Sequence, residues 1–171
     1  MWILAAALLL MISGHAAAET TTLLLPGKAE LSFDVSKMTK LKETASGVRY
    51  QYLASSLGGD ERVNLSVYVE PIECALGKSL KQVSRCFIER LDSVPGVVKE
   101  SGTPNCTRRR CDIFYVTTVK AGEQVVRQLH LNSLFVYRGG WVDVHLSALR
   151  PGSDDSRTFA KFAASLRFVE K

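Results

Sequence analysis

The chain has little with which to do chemistry. Only three histidines occur in 171 residues. There is no G-x-S-x-G, no H-E-x-x-H and no glycine-rich phosphate loop, so the common serine-hydrolase, zinc-protease and nucleotide-binding patterns are missing. Its four cysteines include no C-x-x-C pair, which argues against a structural zinc site and against a thioredoxin-type redox centre. Carboxylates are scattered, with no hydrolase-like dyad. Proline is scarce, and no low-complexity segment, internal repeat or long linker appears. No cofactor and no metal site is expected from these residues.

Long apolar runs are also missing, except at the start. MWILAAALLLMISGHAAAET is unbroken apolar sequence from Ile3 to Ile12, followed by Ser13-Gly14 and Ala16-Ala17-Ala18. Small residues at the −3 and −1 positions suit signal peptidase, so the reading is a signal peptide over 1–18, cut after Ala18, and one domain over 19–171. The run is short for a bilayer span, and no second one follows. No Lys or Arg precedes it, so a retained anchor is the alternative. A periplasmic or secreted location follows, with no stable membrane insertion after cleavage.

In an oxidising space four cysteines imply disulfides. The spacing of Cys106 and Cys111 favours a bond across a tight loop, which leaves Cys74 with Cys86. Four cysteines nonetheless allow three pairings.

About 150 residues remain after cleavage, enough for one domain with a proper core. Hydrophobic residues are 46% and charged residues 23%, ordinary for a globular fold. The net charge is +5 and the segment to be removed carries no Asp, Glu, Lys or Arg, so the excess stays with the domain. That excess suits an acidic partner or an anionic surface; it is far from a nucleic-acid signature.

Alternating polarity predicts strands over 29–35, 48–54 and 62–70. The stretch 36–47 reads as a loop or short irregular helix, and 55–61 as a turn. Leu80, Val83, Phe87, Leu91 and Val94 recur at helical spacing; Ser79 with Gln82 is a capping-box pattern, and Pro95-Gly96 ends the helix. Strands resume over 96–101 and 111–120. A long hairpin runs from Glu123 to about Leu149, with its turn placed at Gly139-Gly140. That turn sets Arg138 opposite Trp141 and His145 opposite Leu134, leaving His130 and His145 about 13 Å apart, too far to share a metal. Asp143 and His145 share a face, but without a nucleophile motif they read as a solvated polar pair. Ser153 is the expected N-cap of a last helix carrying Phe159, Phe162, Ala163 and Leu166. The fold class predicted is α+β: one antiparallel sheet of about six or seven strands flanked by helices.

Function then rests on surface. Arg108, Arg109 and Arg110 lie between Cys106 and Cys111, and a disulfide there would display three guanidinium groups on a loop of reduced flexibility. Arg138 and Trp141, at the hairpin tip, form a second candidate, unless a helix or the N-terminal segment covers the indole. The expected partner is another protein with an acidic surface.

LNSLFVYRGGWVDVHLSAL followed by SDDSRTFAKFAASLRFV, together with LPGKAELSFDV near the start, resembles the PsbP/DcrB-like superfamily in its order of elements. The resemblance implies a PsbP-like α/β sandwich and a protein-binding module without catalysis; it supplies no catalytic residues. The cysteines, and 36–47 in place of an aromatic-rich loop, depart from it. The profile of a small, exported, disulfide-bearing domain also resembles periplasmic immunity proteins of type VI secretion effectors. A periplasmic carrier of a lipid or small molecule is the competing expectation.

Overall fold

In a computed structural model, residues 20–34, 38–46, 49–56, 63–71, 79–98 and 102–171 are described. The expected signal peptide, most of the expected turn over 55–61, Cys74 and the end of the expected strand over 96–101 lie outside them.

The single-sheet expectation is overturned. The described strands form two antiparallel sheets. The smaller is β1 (Thr20–Leu25), β2 (Ala29–Asp34) and β10 (Arg167–Glu170), in the order β1-β2-β10. The larger contains β3 (Met38–Ser46), β4 (Arg49–Ser56), β5 (Val63–Pro71), β6 (Thr103–Cys106), β7 (Cys111–Ala121), β8 (Gln124–Tyr137) and β9 (Gly140–Leu149), in the order β3-β4-β5-β9-β8-β7-β6. Two short helices complete the fold, α1 (Leu80–Leu91) and α2 (Asp155–Ser165). Period-two alternation shows that one face of a strand is buried, but carries nothing about which sheet the strand joins.

The two faces of the larger sheet are buried differently. One face packs Tyr52, Leu65, Val144 and Leu146 against Leu31 and Phe33 of the smaller sheet and Phe159 and Phe162 of α2. Phe33 and Phe159 are at most 1% exposed. Each such side chain contributes on the order of 1.5–3 kcal/mol through burial, so this layer dominates the fold. The other face packs Ile113, Tyr115, Leu134 and Trp141 under Val83 and Leu91 of α1, with Phe87 alongside.

Local chemistry explains several boundaries. At the start of α1 the Ser79 hydroxyl accepts the Gln82 N–H at 3.3 Å, and the Gln82 side-chain oxygen accepts the Ser79 N–H at 3.1 Å, the reciprocal arrangement expected. The helix stops at Leu91 with Asp92 as C-cap, short of Pro95-Gly96, and Val94 is exposed. The N-cap of α2 is Asp154 rather than Ser153, and it makes no side-chain capping bond. Of the strand expected over 96–101, Val97 makes an isolated bridge to Thr117. The stretch 36–47, expected as a loop, is largely β3, an edge strand paired with β4 through a register shift between Lys40 and Lys42.

The long hairpin turns at Arg138-Gly139, both at positive φ (48° and 75°), with Tyr137 opposite Gly140. The turn expected at Gly139-Gly140 is therefore displaced by one residue. Gly140 is held in the sheet beside Pro71, where an added Cβ would come within 2.7 Å of the Glu70 carbonyl oxygen. Its glycine is required for close strand approach, and Arg138 takes the left-handed turn position instead.

Candidate functional site

Cys106 and Cys111 are directly opposed at the ends of β6 and β7, and their sulfurs are bonded. The expected local disulfide is present. Cys86 is disulfide-bonded as well; its expected partner Cys74 lies outside the described residues. Within the closed loop, Thr107 N–H donates to the Arg110 carbonyl at 2.8 Å, and the Thr107 hydroxyl accepts the N–H groups of Arg109 (3.2 Å) and Arg110 (3.0 Å). A threonine that accepts from the amides two and three residues on fixes the turn locally.

The three arginines are not equivalent. Arg108 and Arg109 are exposed, and neither guanidinium has a carboxylate partner among the described residues. Arg110 is drawn inward, with its side chain 20% exposed. Its Nε is 2.9 Å from an Asp112 carboxylate oxygen, and one terminal nitrogen donates to the Ala163 carbonyl near the end of α2. Asp112 is held in turn by the Ser133 hydroxyl at 2.6 Å. The expected display of three guanidinium groups is corrected to two, with Arg110 acting as a tie between the loop and α2.

Beside this loop lies a groove of about 720 Å³. Arg108, Arg109 and Arg167 supply its charge; Leu80, Val136 and Phe168 supply apolar wall. Arg167 donates to the Ala164 and Leu166 carbonyls at 2.8 and 3.0 Å, which positions its charge without neutralising it. Glu170 lines the groove too. The arrangement suits a ligand that brings carboxylates to the arginines and apolar groups to the wall, because guanidinium groups bind carboxylates through paired N–H donors. Sequence reasoning missed Arg167. Only its place after the Phe159/Phe162 helix, next to Phe168, hinted at it.

The hairpin-tip candidate is rearranged. Trp141 is 7% exposed and faces Val136. Its ring lies edge-on to Phe87 at 6.1 Å, and the Arg90 guanidinium sits 5.6 Å from its centroid. Of the two alternatives left open for Trp141, cover by a helix is the one found: α1 lies over it. Arg138 remains exposed, 5.5 Å over the Tyr137 ring, and lines a separate recess of about 230 Å³ with Pro26 and Gly27.

The displaced turn changes the histidines most. His145 faces Asn132, and His130 faces Ser147. The expected separation of about 13 Å is wrong: His130 Nδ1 lies 2.9 Å from His145 Nε2. Tyr115, His130 and His145 form a stack with successive ring centroids 4.6 and 5.2 Å apart. His130 Nε2 is 2.9 Å from the Thr117 hydroxyl. Burial pushes both imidazoles down to about 4, and the His145 ring lowers His130 further. Asp143 bonds to the Asn132 amide at 2.8 Å, and desolvation raises its carboxyl to about 7. Asp143 and His145, expected as a solvated polar pair, are instead part-buried and take different partners. Among the described residues no cluster of three or more His, Cys, Asp or Glu is placed to hold a metal ion.

No protein-family profile matches the chain, and no curated protein matches it. Among solved structures, LpqN of Mycobacterium tuberculosis, described as involved in cell envelope biogenesis, is similar over 88% of this chain and 91% of its own, at 10% identity and a TM-score of 0.49. A protein from Bacteroides thetaiotaomicron VPI-5482 is similar over 88% of this chain, at 12% identity and a TM-score of 0.47; this chain spans 48% of its length. Neither of these two bears the name of the PsbP/DcrB-like superfamily or of an immunity protein.

Proposed function

We propose that this protein is an exported, non-enzymatic binding module for a protein with an acidic surface, and that the groove beside the disulfide-closed arginine loop is where the partner docks. The observation that carries the reading is the pairing of two unneutralised guanidinium groups, Arg108 and Arg109, with an apolar wall on a loop held by a covalent bond. A loop fixed at its base loses less freedom on binding, so more of the contact energy appears as affinity. The core between the sheets is filled by large side chains such as Phe33 and Phe159, which favours surface recognition over carriage of an internal ligand. Among the described residues no helix is long and apolar enough to cross a membrane, and action in the periplasm or outside the cell is part of the same proposal. Inhibition of a secreted toxin effector is its most concrete form.

The test is affinity capture from a non-reduced envelope fraction, run in parallel with the wild type and an Arg108→Glu/Arg109→Glu variant. A stoichiometric partner present with the first and lost with the second supports the reading, and toxicity of that partner supports the immunity form. Equal capture by both proteins removes the arginine loop from the interface.

A further inference from the structure

The groove is bounded by two stretches of strand that lack a neighbouring strand among the described residues. β10 is the last strand of the smaller sheet, bonded to β2 on one side. Leu166 through Glu170 line the groove, and no residue of β1 or β2 does, so it is the unpaired side of β10 that faces it. On the opposite wall β8 outruns β7. The pairing of β7 with β8 ends at Cys111 opposite Leu134, while β8 continues to Tyr137 with β9 alone beside it. Phe135 and Val136 of that overhang line the groove. Exposed strand edges carry amides and carbonyls spaced to accept another strand.

Charge selects which strand. Arg108, Arg109 and Arg167 converge on one groove that holds a single carboxylate not already tied, Glu170. In an extended chain alternate side chains share a face, about 6.6 Å apart, so carboxylates at every second position can reach successive guanidinium groups on the Arg167 face while the others meet Phe168 on the opposite face. A helix would present neither this spacing nor free backbone groups.

We propose that the groove takes an extended acidic segment of the partner protein as an added strand on β10, its carboxylates toward Arg108, Arg109 and Arg167 and its apolar residues toward Phe168. This rests on the acidic-partner reading above and adds to it the conformation and pattern of the segment recognised.

The probe is a synthetic peptide of alternating glutamate and valine. Its controls are a peptide of the same composition with the residues in blocks, and the alternating peptide N-methylated at alternate amides. Binding to the full protein is measured by calorimetry at low and high salt, and amide exchange across β10 by NMR. The alternating peptide is expected to bind at least tenfold more tightly than either control, to slow exchange of β10 amides, and to lose at least tenfold in affinity with Arg108→Glu/Arg109→Glu, whose exposed positions leave the fold intact. Equal binding of the N-methylated peptide overturns strand addition but leaves an acidic partner standing. A peptide-sensitive dimer joined at β10 assigns the edge to a second copy and also overturns the proposal. Failure of every acidic peptide to bind at low salt overturns both this inference and the reading beneath it.

Discussion

His130 and His145 share a single hydrogen bond between ring nitrogens 2.9 Å apart, beneath Tyr115 and beside Thr117. One ring donates and the other accepts, and burial, which holds both at about 4, keeps both neutral at neutral pH. With Asp143 alongside, the pair makes stability depend on pH with a sign that can be worked out.

Between pH 6.5 and about 4 the unfolded chain takes up protons on both imidazoles that the folded protein refuses, so their stabilisation is complete above 6.5 and is lost on acidification. Asp143 runs the other way. Its carboxyl, normally near 3.8, keeps its proton up to about 7 in the fold, so its contribution is complete below 3.8 and is lost as pH rises toward 7. Tyr115 and Glu70 face the same cluster, and Glu70 adds to the rise at Asp143. The net is about one proton, a slope of at most about 1.4 kcal/mol per pH unit in that window, with the protein less stable in acid. Urea unfolding across the window checks it. His145→Gln should flatten the slope and Asp143→Asn should steepen it; unchanged slopes in both would end this account.

Arg110→Ala should destabilise the protein by about 1–3 kcal/mol, because it removes the charged partner of the part-buried Asp112, leaving it the Ser133 hydroxyl, and cuts the tie to the Ala163 carbonyl. Arg108→Ala and Arg109→Ala should stay within about 0.5 kcal/mol. Equilibrium denaturation of the three single variants separates the tie from the displayed pair. Equal losses would mean that the loop works as one unit.

Replacing Cys106 and Cys111 together by alanine should cost about 2 kcal/mol, the loop-closure value for so short a ring. Binding of an acidic ligand should weaken as well. The double variant is the right comparison, because a reductant would also open the bond at Cys86.

Trp141→Ala should cost about 3–5 kcal/mol through the cavity left under α1. Trp141→Phe should cost much less, since the indole N–H is buried without a partner and its loss breaks no bond. Thermal unfolding of both variants gives the comparison.

Much of the local structure was legible. The alternation of β2, β4 and β5, the stripe and capping box of α1, and the inward residues of the long hairpin all follow from period and turn chemistry. Three things were not. β1 was unassigned and β3 was read as a loop or short irregular helix because Thr20–Leu25 and the largely exposed Met38–Ser46 lack clean alternation; β3 exists by pairing with β4. The division into two sheets depends on β10 returning to β2 across most of the chain. The hairpin register turned on Gly140, whose role beside Glu70 is invisible without the neighbouring strand, and that one displacement hid the histidine contact. At the candidate site the disulfide and two of its arginines were legible; the inward turn of Arg110 and the burial of Trp141 were set by α2 and α1.

The return of β10 to β2 also fixes an order of events. β1 and β2 can pair as soon as both exist, but their sheet gains its third strand only when Arg167–Glu170 has emerged, more than 130 residues after β2. Until then Phe135 and Tyr137 lack the Phe168 ring that packs on them. The last few residues therefore complete the smaller sheet: a chain cut before Arg167 keeps the packing of Leu31, Phe33, Phe159 and Phe162 but leaves the second edge of β2 open and Phe135 and Tyr137 without the Phe168 ring.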